Sequence, residues 1–340
     1  MAKTMKAAIF EGDGKLSIRG IPVPTIKKGD EVLLRVEAAS ICGTDCHILS
    51  VPPGHPATAG AVLGHEYVAE VLETGADVQH LKAGDRVVVD PNLTCGWCAY
   101  CRIGLPNMCE NMTTLGIFIN GGFAEYNIAP AKALHPISPD LPADLAVFAE
   151  PLSCVLNGSR KLALQPGESV VVLGAGPIGL LFTLLLKLAG AGLVVVAETQ
   201  PFRLQKAGEC GADRVVNPQK ENLHDVVKSL TSIGADAAVD AVGSLLSEAT
   251  GVVRRGGRVL LFGMNSNARC EYRQYDVTRG EIRIIGTYIA NATFTAAVQL
   301  LESRRLNTAP LITHRLKLDE IHKGIEIMRS GEGIEIIIIP

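Results

Sequence analysis

Through the first part of the chain the apolar positions come in short runs. Residues 31–38 (EVLLRVEA), 66–72 (EYVAEVL) and 85–89 (DRVVV) are rich in valine and mostly alternate apolar with polar. That period of two predicts half-buried strands. Lys28-Gly29-Asp30 and Ala83-Gly84-Asp85 punctuate them as turns, so the N-terminal part is expected to be β-rich, a partly closed barrel. Near Pro151 the pattern changes. Residues 169–173 are continuously apolar, as in a strand covered on both faces. A glycine turn follows, then a helical stretch over 177–189 and a second apolar strand over 193–197. Strand signals recur at 214–216, 235–239, 258–262 and 283–286. Strands alternating with helices predict a doubly wound parallel sheet. After about Thr287 the elements are mixed, with a helix over 295–303 and a last strand over 334–339. The expected organisation is a β-rich domain over 1–151, a nucleotide-binding insertion over 152–288, and a return to the first domain over 289–340.

The 340 residues suit two domains, and 47% hydrophobic against 20% charged residues fits a globular chain. A net charge of -3 offers no basic surface for nucleic acid or anionic lipid. The most apolar stretch, 180–189, is too short to span a bilayer. Residues 1–10 carry no signal-peptide core, so a cytoplasmic location is expected. In that compartment thiols stay reduced, and the nine cysteines are not read as disulfides.

The glycine turn reads Gly174-Ala175-Gly176-Pro177-Ile178-Gly179, a GxGxxG between strand and helix. Gly174 permits the turn, Gly176 lets backbone approach a pyrophosphate, and Gly179 permits close helix–strand packing. The helix N-terminus favours phosphate. Glu198, at the end of the next strand, is placed to accept from ribose hydroxyls and to repel a 2'-phosphate, which points to NAD over NADP. Arg203 lies five residues on and flanks the adenine side, a basic group that pulls the other way. Val242, Phe262 and Gly263 follow later strands of the same sheet, where ligands bind at the carboxyl ends.

Two groups of residues have metal-ligand chemistry. Cys95, Cys98, Cys101 and Cys109 form C-x2-C-x2-C-x7-C on a loop with Gly96, Gly104 and Pro106. Four thiolates close a tetrahedron and leave no open position, as in a structural zinc. A metal-free thiol cluster or an iron–sulfur centre are the alternatives, although the spacing is not that of ferredoxin runs. The second group is Cys42, His65 and a carboxylate, Glu66 or Glu150. A mixed set of three ligands with one open position is what a catalytic zinc needs. Singly, each residue also suits a bland role in the core or at a strand edge; their joint occurrence carries the expectation. Asp45 suits either a contact orienting His65 or a helix cap.

In this order, ICGTDCH (41–47), GHEYVAEVLETG (64–75), the four-cysteine loop, GGFAEY (121–126), AEPLSC (149–154), GAGPIG and LITHRLKLDEI (311–321) resemble the zinc-containing medium-chain dehydrogenases. The resemblance covers almost the whole chain. It implies a GroES-like barrel plus a Rossmann domain, usually as a homo-oligomer, dimer or tetramer. Glu66 after His65, with AEPL, is similar to the polyol branch that includes sorbitol dehydrogenase. It implies catalytic zinc on Cys42, His65 and Glu66, with Glu150 as a ligand directly or through water, and exchange between the two glutamates during turnover. It also implies a proton relay starting at Thr44 and ending at His47, and a small alcohol or ketone as substrate. Where sorbitol dehydrogenases carry a polyol-binding arginine, this chain has Ile289, which points away from sorbitol itself. A threonine-type dehydrogenase, a primary-alcohol dehydrogenase and a nucleotide-binding protein without catalysis are the rival functions.

Overall fold

A computed structural model describes residues 3–340, which divide into two compact units. The first comprises residues up to Ser153 together with Asn291–Arg304 and Ile312–Pro340. The second comprises Cys154–Ala290 and the short piece Arg305–Leu311. The return to the first unit is therefore interrupted once, which the apolar pattern alone did not reveal.

The first unit is built on a seven-stranded sheet. Its path runs Ile312–Lys317, Glu335–Ile339, Glu31–Ser40, Glu66–Thr74, Arg86–Val89 and Leu134–Ile137, with Tyr126–Pro130 paired to Glu31–Ser40 off this path. The strand Glu31–Ser40 pairs along its length with Glu66–Thr74 and divides its other edge between two partners. Its N-terminal half takes Tyr126–Pro130, and Ala39 and Ser40 take Ile338 and Ile337. Register shifts at Leu33/Leu34 and Val36/Ala38 bend it between those partners. A hairpin, Thr4–Gly12 with Lys15–Pro22, joins through bridges from Ala7 to Ala124 and Ile9 to Val62. Its alternating apolar residues, with Leu34, Val36, Tyr67, Val71, Phe123 and Ile336, form one buried core. The strand Glu335–Ile339 also pairs in parallel with Ile312–Lys317. It is continuously apolar except at its first residue, and four of its five residues are buried.

The second unit is a six-stranded parallel sheet. Its order is Arg214–Val216, Leu193–Ala197, Ser169–Leu173, Ala235–Asp240, Val253–Leu261 and Arg283–Gly286. In the unit's own sequence order that is 3-2-1-4-5-6, the doubly wound arrangement whose switch point lies beside the first strand. The helix Pro177–Leu188 leads from that first strand to the second. The strand Val253–Leu261 begins five residues before the apolar signal, because Val253 already pairs with Ala235 across a bulge. Among the described residues no helix is long and apolar enough to cross a membrane.

Candidate active site and structural metal loop

Cys42 follows the strand Glu31–Ser40 and caps the six-residue helix Gly43–Ile48. Its Sγ accepts from the Thr44 N–H at 3.5 Å, and Asp45 Oδ2 accepts from the Cys42 N–H at 2.9 Å. That reciprocal box fixes the thiol at the helix entrance. His65 and Glu66 start the neighbouring strand. Gly64 precedes them at φ +89°, where a Cβ would lie 2.7 Å from the Phe123 ring and 2.9 Å from its nitrogen. No side chain fits, so the chain enters this strand in one way only. Sheet register then sets Ser40 opposite Glu66, and the Ser40 hydroxyl donates to Glu66 Oε2. As a result ligand atoms of Cys42, His65 and Glu66 all lie within 4.8 Å of one another.

Asp45 does both things the sequence left open. It caps the helix through Oδ2, while Oδ1 lies 3.8 Å from His65 Nδ1, both groups being buried. That contact is ionic rather than a hydrogen bond. Neither Asp45 Oδ1 nor His65 Nδ1 has a hydrogen-bond partner. Glu150, in the first turn of the helix Ala149–Leu162, is also buried. It lies outside the group within 4.8 Å, but its charge reaches both Cys42 and His65.

The structure adds a carboxylate that sequence reasoning missed. Glu335 is buried at the start of the isoleucine strand, and its Oε1 has no hydrogen-bond partner. A lone charge opening an otherwise apolar strand was the signal available in the sequence.

Electrostatically this cluster is overloaded with negative charge. Burial, then Glu66, Asp45 and Glu150, push the Cys42 thiol well above the usual range. Burial raises Asp45 to about 6 against the opposing pull of His65. Burial lowers His65, but Asp45, Glu66 and Glu150 outweigh it and hold the imidazole above its ordinary range. Glu335 is pushed well up by burial and by Glu66. Three carboxyl groups acting on one thiol and one imidazole, with Glu335 acting on two of them, favour a cation at this place. A zinc ion fits the donor set, which combines soft sulfur, imidazole and carboxylate. Thr44 Oγ1 lies 3.6 Å from Cys42 Sγ, and His47, one turn on, is exposed.

The four-cysteine loop brings its thiols together locally. All four Sγ atoms lie within 4.8 Å of one another, with Cys95 to Cys109 at 3.5 Å and Cys98 to Cys109 at 3.9 Å. A tetrahedron with metal–sulfur bonds of about 2.3 Å has edges of about 3.8 Å, whereas a disulfide needs about 2.05 Å. The spacing fits a metal and not a disulfide. Backbone N–H groups of Cys95 and Cys98 point at Cys109 and Cys95 sulfurs, both at 3.3 Å. At Cys95 such donors from Trp97 and Cys98 outweigh burial and bring the thiol down to about 6.

In the second unit Gly174 has φ +93°, and a Cβ there would meet Val242 Cγ2 at 2.6 Å. A Cβ at Gly179 would sit 1.9 Å from the Gly174 oxygen. Gly176, which caps the helix ahead of Pro177, Ile178 and Gly179, has only Arg203 Nη1 near it, at 3.8 Å. The open space lies where an anion approaches the helix N-terminus. Glu198 is turned inward, with Oε2 accepting from the Ala175 N–H and Oε1 from the Thr199 and Gln200 N–H groups. Although burial raises it, these donors and Arg203 hold its carboxyl below the usual range. It therefore orders the turn. The Phe262 ring packs edge-on against Phe182 at 5.1 Å, so only its backbone and Gly263 belong to the strand-end rim. Ile289 brings no charge, and its carbonyl accepts from Asn157.

Residues 28–139 match the family model of the alcohol dehydrogenase GroES-like domain, and residues 177–303 match that of the zinc-binding dehydrogenases. The chain is 37% identical to D-altritol 5-dehydrogenase of Agrobacterium fabrum, over 93% of this chain and 94% of that one. It is 34% identical to D-arabinitol dehydrogenase 1 of Uromyces fabae, over 99% and 97%. L-threonine 3-dehydrogenase of Xanthomonas campestris is 33% identical over 98% and 99%. A solved structure from Sinorhizobium meliloti, assigned as a zinc-binding dehydrogenase and bound to NADP, superposes with a TM-score of 0.94. It is 32% identical and covers 99% of this chain and all of that one.

Proposed function

From the membership of this chain in the zinc-containing medium-chain alcohol and polyol dehydrogenases, we propose that it oxidises a secondary alcohol group of a polyol, or reduces the matching ketone, with NAD. The observation that carries the proposal is the convergence of Cys42, His65 and Glu66 within 4.8 Å, backed by buried Asp45. A zinc ion on these ligands supplies Lewis acidity toward the alcohol oxygen, and the nicotinamide supplies the hydride acceptor. Thr44, half-buried beside Cys42, would accept the alcohol's proton at Oγ1 while releasing its own hydroxyl proton toward the nicotinamide ribose 2'-hydroxyl and His47. His47, exposed at the far end of the same short helix, exchanges that proton with water. Glu150, whose charge reaches Cys42 and His65, would be the alternative carboxylate ligand to Glu66. Cys95, Cys98, Cys101 and Cys109 hold a second, structural zinc.

One observation supports NAD. The Glu198 carboxylate is held ionised by three backbone N–H groups, and a 2'-phosphate would meet that charge. Arg203 beside Gly176 would supply the counter-charge for the pyrophosphate that NAD and NADP share, and does not separate them. The altritol and arabinitol relatives favour a polyol; the threonine relative makes an amino alcohol the second reading. We further expect a cytoplasmic homo-oligomer, dimer or tetramer, which sedimentation would count.

The test is reduced-cofactor formation from C4 to C6 polyols, threonine and short alcohols, with NAD and NADP in parallel. Turnover of polyols with NAD is expected. Turnover of threonine alone would move the chain to the second reading, and a preference for NADP would overturn the role given to Glu198.

A further inference from the structure

Residues 50–58 lie in the connection between the short helix that follows Cys42 and the strand that begins at Glu66, and the segment is pinned at both ends. At one end Gly54 donates to the His47 carbonyl at 2.9 Å and to Ser50 Oγ at 3.0 Å. A Cβ on Gly54 would come within 3.2 Å of His47 Nδ1, so the segment lies directly against the relay histidine. At the other end the Thr58 N–H donates to the Ile117 carbonyl, and Ala57 packs on the core. The loop holding Ile117 is itself pressed on the ligand strand, since a Cβ on Gly116 would lie 2.2 Å from the Gly64 oxygen and 2.7 Å from the His65 nitrogen.

Between these anchors sits His55. Its ring is half-buried and lies 6.5 Å from the Phe118 ring at 37°. Nδ1 is 2.8 Å from the Pro56 carbonyl. A carbonyl only accepts, so Nδ1 carries the proton and Nε2 presents a lone pair. Burial holds the imidazole below its usual range, and the charges of His65 and His47 push it the same way. His55 thus follows directly on the residue that lies against His47, is fixed in one tautomer, and has no task in the mechanism above.

We propose that His55 is a substrate-contacting, specificity-determining residue whose Nε2 accepts a hydrogen bond from the hydroxyl on the carbon next to the one oxidised. The proposal rests on the polyol reading above and deepens it. Its physical basis is that an acceptor left unpaired at a site rejects a substrate lacking the matching donor. Neither Thr44 nor His47 offers that discrimination, since both are committed to the reacting hydroxyl.

The experiment compares wild type, His55→Leu and His55→Gln on 2,3-butanediol, arabinitol and altritol. Each is paired with the analogue carrying hydrogen in place of the neighbouring hydroxyl. Gln places an amide oxygen about where Nε2 lies, so it should restore what Leu removes. Leu is expected to raise KM for the polyols roughly tenfold, to change KM for the deoxy analogues less than about twofold, and to leave kcat nearly unchanged. Gln should recover most of the polyol KM. Equal effects on both members of a pair, or no effect, would overturn the proposal. If wild type oxidises no member of any pair, the polyol reading has failed instead, and the two failures are told apart. Melting temperatures of both variants within a few degrees of wild type exclude a folding artefact; a Leu variant that melts early is judged on the Gln variant alone.

Discussion

The two metal sites of the first unit gather their ligands in opposite ways. The four-cysteine loop draws on fifteen consecutive residues, and glycines at φ +79° (Gly96) and +81° (Gly104) fold it on itself. Its ligands are alike, so any closed arrangement of them gives the same chemistry. The other site draws Cys42, His65 and Glu66 from a helix entrance and an adjacent strand, with Glu150 on a distant helix and Glu335 on a strand near the C-terminus. Its ligands are unlike, and it is overcharged until a cation arrives. A local site built from equivalent ligands serves stability; a site assembled through sheet register keeps unequal ligands and can keep a position open for chemistry.

The sharpest way to break this contrast is Cys42→Ser. Turnover should fall more than about a thousandfold, while reduced-cofactor fluorescence still reports binding. A variant retaining full activity would remove the catalytic-zinc assignment. Cys98→Ser, at a buried position of the other site, should instead cost stability on the order of 3 kcal/mol and lower the melting temperature by about 5–10 °C. Activity per folded molecule should survive, and a clean loss of kcat with unchanged melting would refute a structural role.

A smaller effect separates the supporting groups. Asp45→Asn keeps an acceptor for the Cys42 N–H but removes the charge beside His65. Metal affinity should drop by about 10–100-fold, read by competition with a chromophoric chelator; an unchanged affinity would reduce Asp45 to a cap. The exchange of glutamates is tested by Glu66→Gln and Glu150→Gln, each analysed for zinc and for kcat. Both should lose activity, with Glu66→Gln losing more zinc. Equal zinc and activity to wild type in either would end the exchange idea.

The smallest effect lies between the two sites. Burial raises the Asp90 carboxyl to about 6, against one hydrogen bond from the Asn92 N–H. A carboxyl higher in the folded than in the unfolded chain costs stability above its folded value, and that cost vanishes as pH falls toward the ordinary value near 4. Asp90→Asn should therefore stabilise by on the order of 2 kcal/mol at pH 8 and by almost nothing at pH 4. A pH-independent difference in denaturant midpoints would contradict the assignment.

Much of this was legible in the chain because it is written locally. The strand Ser169–Leu173, the helix from Pro177 and the strand Leu193–Ala197 follow from apolar runs and a glycine turn. Gly174 and Gly179 are needed because of close approaches within the same turn. The four thiols lie close because their loop is short. Cys42 with Asp45 forms a capping box over four residues. His55 and Glu335 were not legible. A histidine in a Pro/Gly-rich segment and a glutamate before four isoleucines carry no local signal of what they face.

The sequence by itself determined most of the elements, the glycine turn and the four-thiol loop, because each depends on side-chain period, backbone freedom or spacing within a few residues. Only the tertiary structure decided that Ser40 would meet Glu66, that Asp45 would stand 3.8 Å from His65, and that Glu335 would be buried on a strand paired with that of Ser40. Those meetings depend on the register between strands distant in sequence. A shift of one residue would turn each side chain to the other face.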